Sequence, residues 1–112
     1  MDIQEMTVQE LKQVLDSGAN DFVLLVVRNP HEYEIAKISG SVLVPLSDIE
    51  NGSGVTKVRE LLNGHRLIVH CKSGMRSAKA LGHLKDAGIE GTNVKGGISA
   101  WSKEIDSSVP LY

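Results

Sequence analysis

The sequence has a single cysteine, so no disulfide can form within the chain, and such sparing use of cysteine fits a reducing, cytoplasmic setting. Long apolar runs are missing as well: the longest, Phe22 to Val27, has six residues, where a membrane-spanning helix needs roughly 20. The opening Met1-Asp2-Ile3-Gln4-Glu5 is acidic where a secretory signal would be basic and then apolar. Neither sign of charge dominates, with a net charge of −2 and no charged block, which excludes an extended nucleic-acid or membrane surface. There is no Gly-rich nucleotide loop and no paired-cysteine motif for zinc. His31, His65 and His83 share no ligand spacing, so no metal site is expected.

What remains is an ordinary globular composition, 41% hydrophobic and 23% charged, with few aromatic residues. At 112 residues the chain reads as one domain, 1–112, able to bury about two thirds of its unfolded surface. No repeat or low-complexity segment divides it, and Asn51-Gly52-Ser53-Gly54 reads as the one loose stretch.

Thr7 followed by Glu10 forms a capping-box pattern, and Val8, Leu11, Val14 and Leu15 then recur at helical spacing. Phe22 to Val27 is β-rich and apolar on both alternating faces, as in a parallel strand covered by helices on both sides. Asn29 caps a short helix with Pro30 first and Glu32 third. Val42-Leu43-Val44 reads as a strand, Ser47 to Glu50 as a helical turn under a second capping box, and Val55, Val58, Leu61 and Leu62 as a helix face. After Leu67 to Cys71 the pattern predicts a helix from about Ser77 to Ala87, a strand at Thr92-Asn93-Val94, a helix opened by Gly96-Gly97, and an extended tail from Ser107 to Tyr112. Strands alternating with helices predict an α/β fold in three layers, a mostly parallel sheet of about five strands with helices on both faces. In such sheets the functional crevice lies beyond the carboxyl ends of the strands.

Cys71 stands at such an end, in Leu67-Ile68-Val69-His70-Cys71-Lys72-Ser73-Gly74-Met75-Arg76-Ser77. A loop curling around a terminal sulfur points its N–H groups inward, and the following helix adds partial positive charge. With Lys72 and Arg76 alongside, such a thiol drops from about 8.5 into the range of roughly 3.5–7.5. Four residues separate Cys71 from Arg76, one fewer than in the protein tyrosine phosphatase loop. The shorter ring suits a single terminal sulfur better than a tetrahedral oxyanion.

The loop, together with Val27 to Glu34, Ile38 to Pro45, Lys95-Gly96-Gly97-Ile98-Ser99-Ala100-Trp101 and the ending Val109-Pro110-Leu111-Tyr112, resembles a rhodanese-fold sulfurtransferase domain. It is most similar to the C-terminal rhodanese domain of adenylyltransferase–sulfurtransferases of the molybdopterin-synthase sulfurylase type. The resemblance implies a sulfurtransferase in which Cys71 carries a persulfide, with Lys72, Ser73, Gly74, Met75, Arg76 and Ser77 as the binding loop and Arg28 as a supporting residue. The donor would be thiosulfate or the persulfide of a cysteine desulfurase, and the acceptor a ubiquitin-like sulfur carrier ending in Gly-Gly, activated by a separate adenylating domain or protein. No metal or organic cofactor is implied.

Two departures from the family pattern bear on Arg28: Val26 replaces the usual Asp, and Lys37-Ile38-Ser39-Gly40-Ser41 replaces His-Ile-Pro-Gly-Ala. Arg28 is then expected to pair with Glu32 or Glu34. Alternation turns His70 away from Cys71, which suits a core histidine better than a general base. Ser73 and Ser77 either donate to the sulfur or cap the next helix, and Met75 lines the entrance or packs. Rival readings are a non-catalytic docking module, a phosphatase or arsenate reductase, and a redox sensor built on an exposed thiol.

Overall fold

The computed structural model describes residues 3–112. Its five strands are β1 (Gln4–Met6), β2 (Phe22–Val26), β3 (Val42–Leu43), β4 (Arg66–His70) and β5 (Thr92–Val94). They form one sheet in the order β1-β5-β4-β2-β3, parallel throughout. The helices are α1 (Val8–Asp16), α2 (Pro30–Ile35), α3 (Leu46–Asn51), α4 (Ser53–Leu62), α5 (Met75–Asp86) and α6 (Gly97–Glu104).

Strand alternation divides the core in two. Leu25 on β2 and Leu67 and Val69 on β4 pack with Ile49 of α3, Val58 of α4 and Ala80, Leu81 and Leu84 of α5. Leu24 and Ile68 on the opposite face pack with Val8 and Leu11 of α1 and Ile98 and Trp101 of α6. The helix after β4 therefore covers one face and the helix after β5 the other. Cys71 follows the carboxyl end of β4, where the chain passes to the first of these two helices.

The capping box read at Thr7 forms, with Glu10 returning the bond, and Asn29 caps α2 as read, with Glu32 returning its bond as well. The capping box read at Ser47 does not form. Leu46 N–H donates to the Val27 carbonyl at 3.2 Å and Pro45 becomes the helix cap, so Ser47 already lies inside the first turn. Asn51 to Gly54 is not loose either: Gly52, in the left-handed region at φ 94°, is a single-residue hinge between α3 and α4. Helix α5 starts two residues before Ser77, at Met75, because Gly74 supplies the left-handed turn that begins it. β1 has no counterpart in the sequence reading. In the tail, Asp106 binds the Ser108 N–H at 3.0 Å and its carbonyl accepts from Val109, so the segment turns before it extends.

Candidate active site

The ladder between β2 and β4 runs to its end with Val27 N–H donating to the His70 carbonyl at 3.1 Å, and Cys71 is the next residue. Its side chain lies on the Val69 side of the sheet, within the core beneath α5. His70 lies on the other side, fully buried, and its Nδ1 contacts the Cys71 carbonyl at 3.3 Å. Burial pushes this imidazole down to about 4, helped by the Arg28 charge and opposed by the carbonyl, so His70 is neutral and faces away from the sulfur.

Around Cys71 Sγ the chain makes a cradle. Gly74 N–H donates at 3.1 Å and Ser77 Oγ stands at 3.3 Å. Burial raises the thiol pKa, but the Ser77 hydroxyl and the N–H groups of Ser77, Gly74 and Ser73 outweigh it, leaving Cys71 below the ordinary thiol value. The carbonyls of the same loop are held on the outside: Cys71 O accepts from Ile98 N–H at 2.9 Å and Lys72 O from Ser99 N–H at 3.0 Å. Helix α6 thus begins on the loop, and Gly97 permits the approach, since a Cβ there would stand 2.5 Å from both carbonyl oxygens. Cys71 is only 1% exposed, so the exposed thiol assumed for a redox sensor is not observed.

Arg76, expected alongside the thiol in the binding loop, is closed on Glu32, with Nη1 to Oε1 at 2.7 Å and Nη2 to Oε2 at 3.0 Å. Fully buried Arg28 donates to the same carboxylate at 3.2 Å, as well as to the Ala36 carbonyl and to that of Tyr112. Arg76's hydrogen bond, with the Asn29 N–H and the Arg28 charge behind it, holds Glu32 at about 2 despite its burial. Arg28 accordingly pairs with Glu32 rather than Glu34, one shell away from the sulfur. Lys72 is exposed, and no carboxylate of the described residues forms an ion pair with it. Met75 is 80% exposed at the rim rather than packed.

One residue of this site, Asn93, lies outside the sequence reading, and Glu32, read as a partner for Arg28, takes on Arg76 as well. Asn93 on β5 accepts from Ser77 Oγ at 2.5 Å and donates to the Gly74 carbonyl at 3.1 Å, and Glu32 organises both arginines. A shallow groove between Asn29, Pro45, Ser47 and Arg76 runs beside the loop. A more enclosed cavity of about 280 Å³ lies at the opposite end of the sheet, between Arg66, Leu67, Lys85 and Thr92, away from Cys71. Among the described residues no His, Cys, Asp and Glu side chains cluster as a metal site would require, and no helix is long and apolar enough to cross a membrane.

The arrangement can hold an anionic sulfur at a helix start. The family model described as Rhodanese-like domain matches residues 7–104. The chain is 56% identical over 111 residues to the "Uncharacterized 16.5 kDa protein in psaL 5'region" of Synechococcus elongatus, covering 99% of this chain and 72% of that one. It is 37% identical over 108 residues to the "Probable adenylyltransferase/sulfurtransferase MoeZ" of Mycobacterium tuberculosis, covering 96% of this chain but 26% of that protein. The crystal structure of a rhodanese-like domain protein from Staphylococcus aureus superposes with a TM-score of 0.76 at 27% identity, covering 92% of this chain and 95% of that one. With its fold, its sulfur cradle and these relatives in agreement, the chain belongs to the rhodanese-like domain family.

Proposed function

We propose that the protein is a sulfurtransferase that carries sulfane sulfur as a persulfide on Cys71. The observation that carries this reading is the Sγ position, cradled by Gly74 N–H at 3.1 Å and Ser77 Oγ at 3.3 Å at the start of α5. A thiolate there attacks the outer sulfur of a donor. A new S–S bond forms to Cys71 while the donor's S–S bond breaks, and the donor leaves with the electron pair, as sulfite from thiosulfate or as a thiolate from a protein persulfide. A nucleophilic acceptor then attacks the terminal sulfur and releases the Cys71 thiolate. The N–H groups that favour the thiolate also favour the persulfide anion, so one cradle serves both halves of the cycle.

Glu32 holds Arg76 in a two-point ion pair while sharing its single charge with Arg28, so among the described residues Lys72 is the loop cation not held in an ion pair. That balance favours a protein persulfide, such as that of a cysteine desulfurase, over the thiosulfate dianion. Similarity to MoeZ supports an acceptor of the Gly-Gly sulfur-carrier type, adenylated by a separate domain or protein, in a molybdopterin or thiolation pathway of the cytoplasm. Sulfur transfer at Cys71 uses no metal or organic cofactor.

Intact mass tests the reading after incubation with thiosulfate, and separately with a cysteine desulfurase plus cysteine. Expected is a gain of one sulfur atom, larger with the desulfurase, reversed by reductant and absent in Cys71→Ala. No gain with either donor would overturn the reading and leave a docking module.

A further inference from the structure

The Ser77 hydroxyl has two neighbours that each want its one proton. Cys71 Sγ lies 3.3 Å away on one side and Asn93 Oδ1 2.5 Å away on the other. The orientation of the Asn93 amide is fixed by what else it touches. Its Nδ2 stands 3.1 Å from the Gly74 carbonyl and 3.5 Å from Glu5 Oε2, both of which only accept. The amide nitrogen must therefore face them, which leaves the amide oxygen toward Ser77. An oxygen in that position can only accept, so it draws the Ser77 proton away from the sulfur.

In the thiol state all three groups are satisfied, with Cys71 S–H donating to Ser77 Oγ and Ser77 O–H donating to Asn93. When the thiol loses its proton to solvent, Ser77 must swing its own proton onto the sulfur. Asn93 Oδ1, on a residue only 2% exposed, then loses its donor. A buried acceptor without a donor is costly, so forming the thiolate costs more than it would beside Ser77 alone.

We propose that Asn93 is a positioning residue that competes with Cys71 for the single proton of Ser77 and so restrains formation of the thiolate. It acts from β5 through Ser77 and does not touch the sulfur. Its second contact braces Gly74, whose N–H reaches Sγ, so the same side chain holds the cradle in shape while limiting the anion in it. The charged groups around this network are Arg76 on α5, ion-paired with Glu32, Glu5 on β1 behind Asn93, and exposed Lys72 on the loop. None of them supplies Ser77 with another proton. A restrained thiolate suits a carrier whose empty form waits between donors, and in that use the proposal rests on the sulfur-transfer reading.

The test is a double-mutant cycle on the Cys71 titration, followed by ultraviolet thiolate absorbance against a Cys71→Ala blank and by alkylation rate against pH. The proteins are the wild type, Ser77→Ala, Asn93→Ala and the double variant. Asn93→Val, a strand-favouring apolar replacement, takes the place of Asn93→Ala if circular dichroism shows that variant unfolded. Expected is a higher thiolate-to-thiol ratio in the Asn93 variant, about tenfold at fixed pH for each unit of midpoint lowered. Ser77→Ala should then raise the midpoint by clearly more in the Asn93 variant than in the otherwise wild-type protein. Equal shifts in the two backgrounds would overturn the proposal and reduce Asn93 to a brace for Gly74. Thiolate is read directly here, so failure to form a persulfide would count against the sulfur-transfer reading alone.

Discussion

At Gly97 the absence of one carbon holds the active loop in place. The residue has φ +56°, and a Cβ would meet the carbonyls of Cys71 and Lys72 at 2.5 Å, the same carbonyls that α6 ties down. Gly97→Ala should destabilise the protein by about 1–3 kcal/mol through overpacking and backbone strain, and should also abolish sulfur acceptance by displacing the loop. Gly18→Ala separates the two causes. Gly18 has φ +74° but nothing within 4 Å of a built Cβ, so it should show the strain cost alone in urea unfolding and leave sulfur acceptance intact. The prominence of Cys71 and the turn of His70 away from the sulfur were legible in sequence, because strand, cysteine, loop and helix are contiguous and alternation is local. Gly96-Gly97 was legible only as turn geometry. Asn93 was not legible at all, since its contacts to Ser77 and Gly74 exist only once β5 lies beside β4.

Between elements, the carboxylate of Glu32 is the joint. It caps the start of α2 through the Asn29 N–H, grips Arg76 of α5 with both oxygens, and accepts from Arg28 beneath. Glu32→Gln leaves a buried guanidinium without a counter-charge and should destabilise by about 3 kcal/mol, near the lower edge for breaking a buried pair. The same change frees Arg76 toward the loop, so the concentration of thiosulfate needed for half-maximal sulfur loading should fall even as the denaturation midpoint drops. An unchanged thiosulfate requirement would show that Arg76 has no part in donor attraction. Helix caps were legible where side chain and backbone lie within one turn, as at Thr7 and Asn29. The Ser47 box failed because a tertiary bond, Leu46 N–H to the Val27 carbonyl, pulls the helix start forward. β1 escaped notice because Gln4-Glu5-Met6 has no apolar alternation of its own and is a strand by virtue of pairing with β5.

For the whole molecule, alternation of strands and helices made the layered parallel fold legible, but the sheet order depends on where β1 inserts, which no local pattern encodes. The two cores share the sheet, Leu24 on one face and Leu25 on the other, so they should unfold in a single transition. Acid acts on that transition through two groups with depressed pKa values. His70 titrates at its ordinary value of 6.5 when unfolded and at about 4 when folded, so the unfolded chain takes up the proton first. The stability tied to its neutral form is complete above 6.5 and lost as pH falls toward about 4, a loss of about 3 kcal/mol. Glu32 follows, with the stability of its ionised form complete above 4.5 and lost toward about 2. Urea midpoints measured with falling pH should therefore decline through two successive windows. His70→Leu removes the titrating group while the Cys71 carbonyl keeps its bond from Ile98 N–H, so the upper window should flatten and the lower one remain. If the upper decline persists in that variant, acid sensitivity near neutrality does not originate at His70.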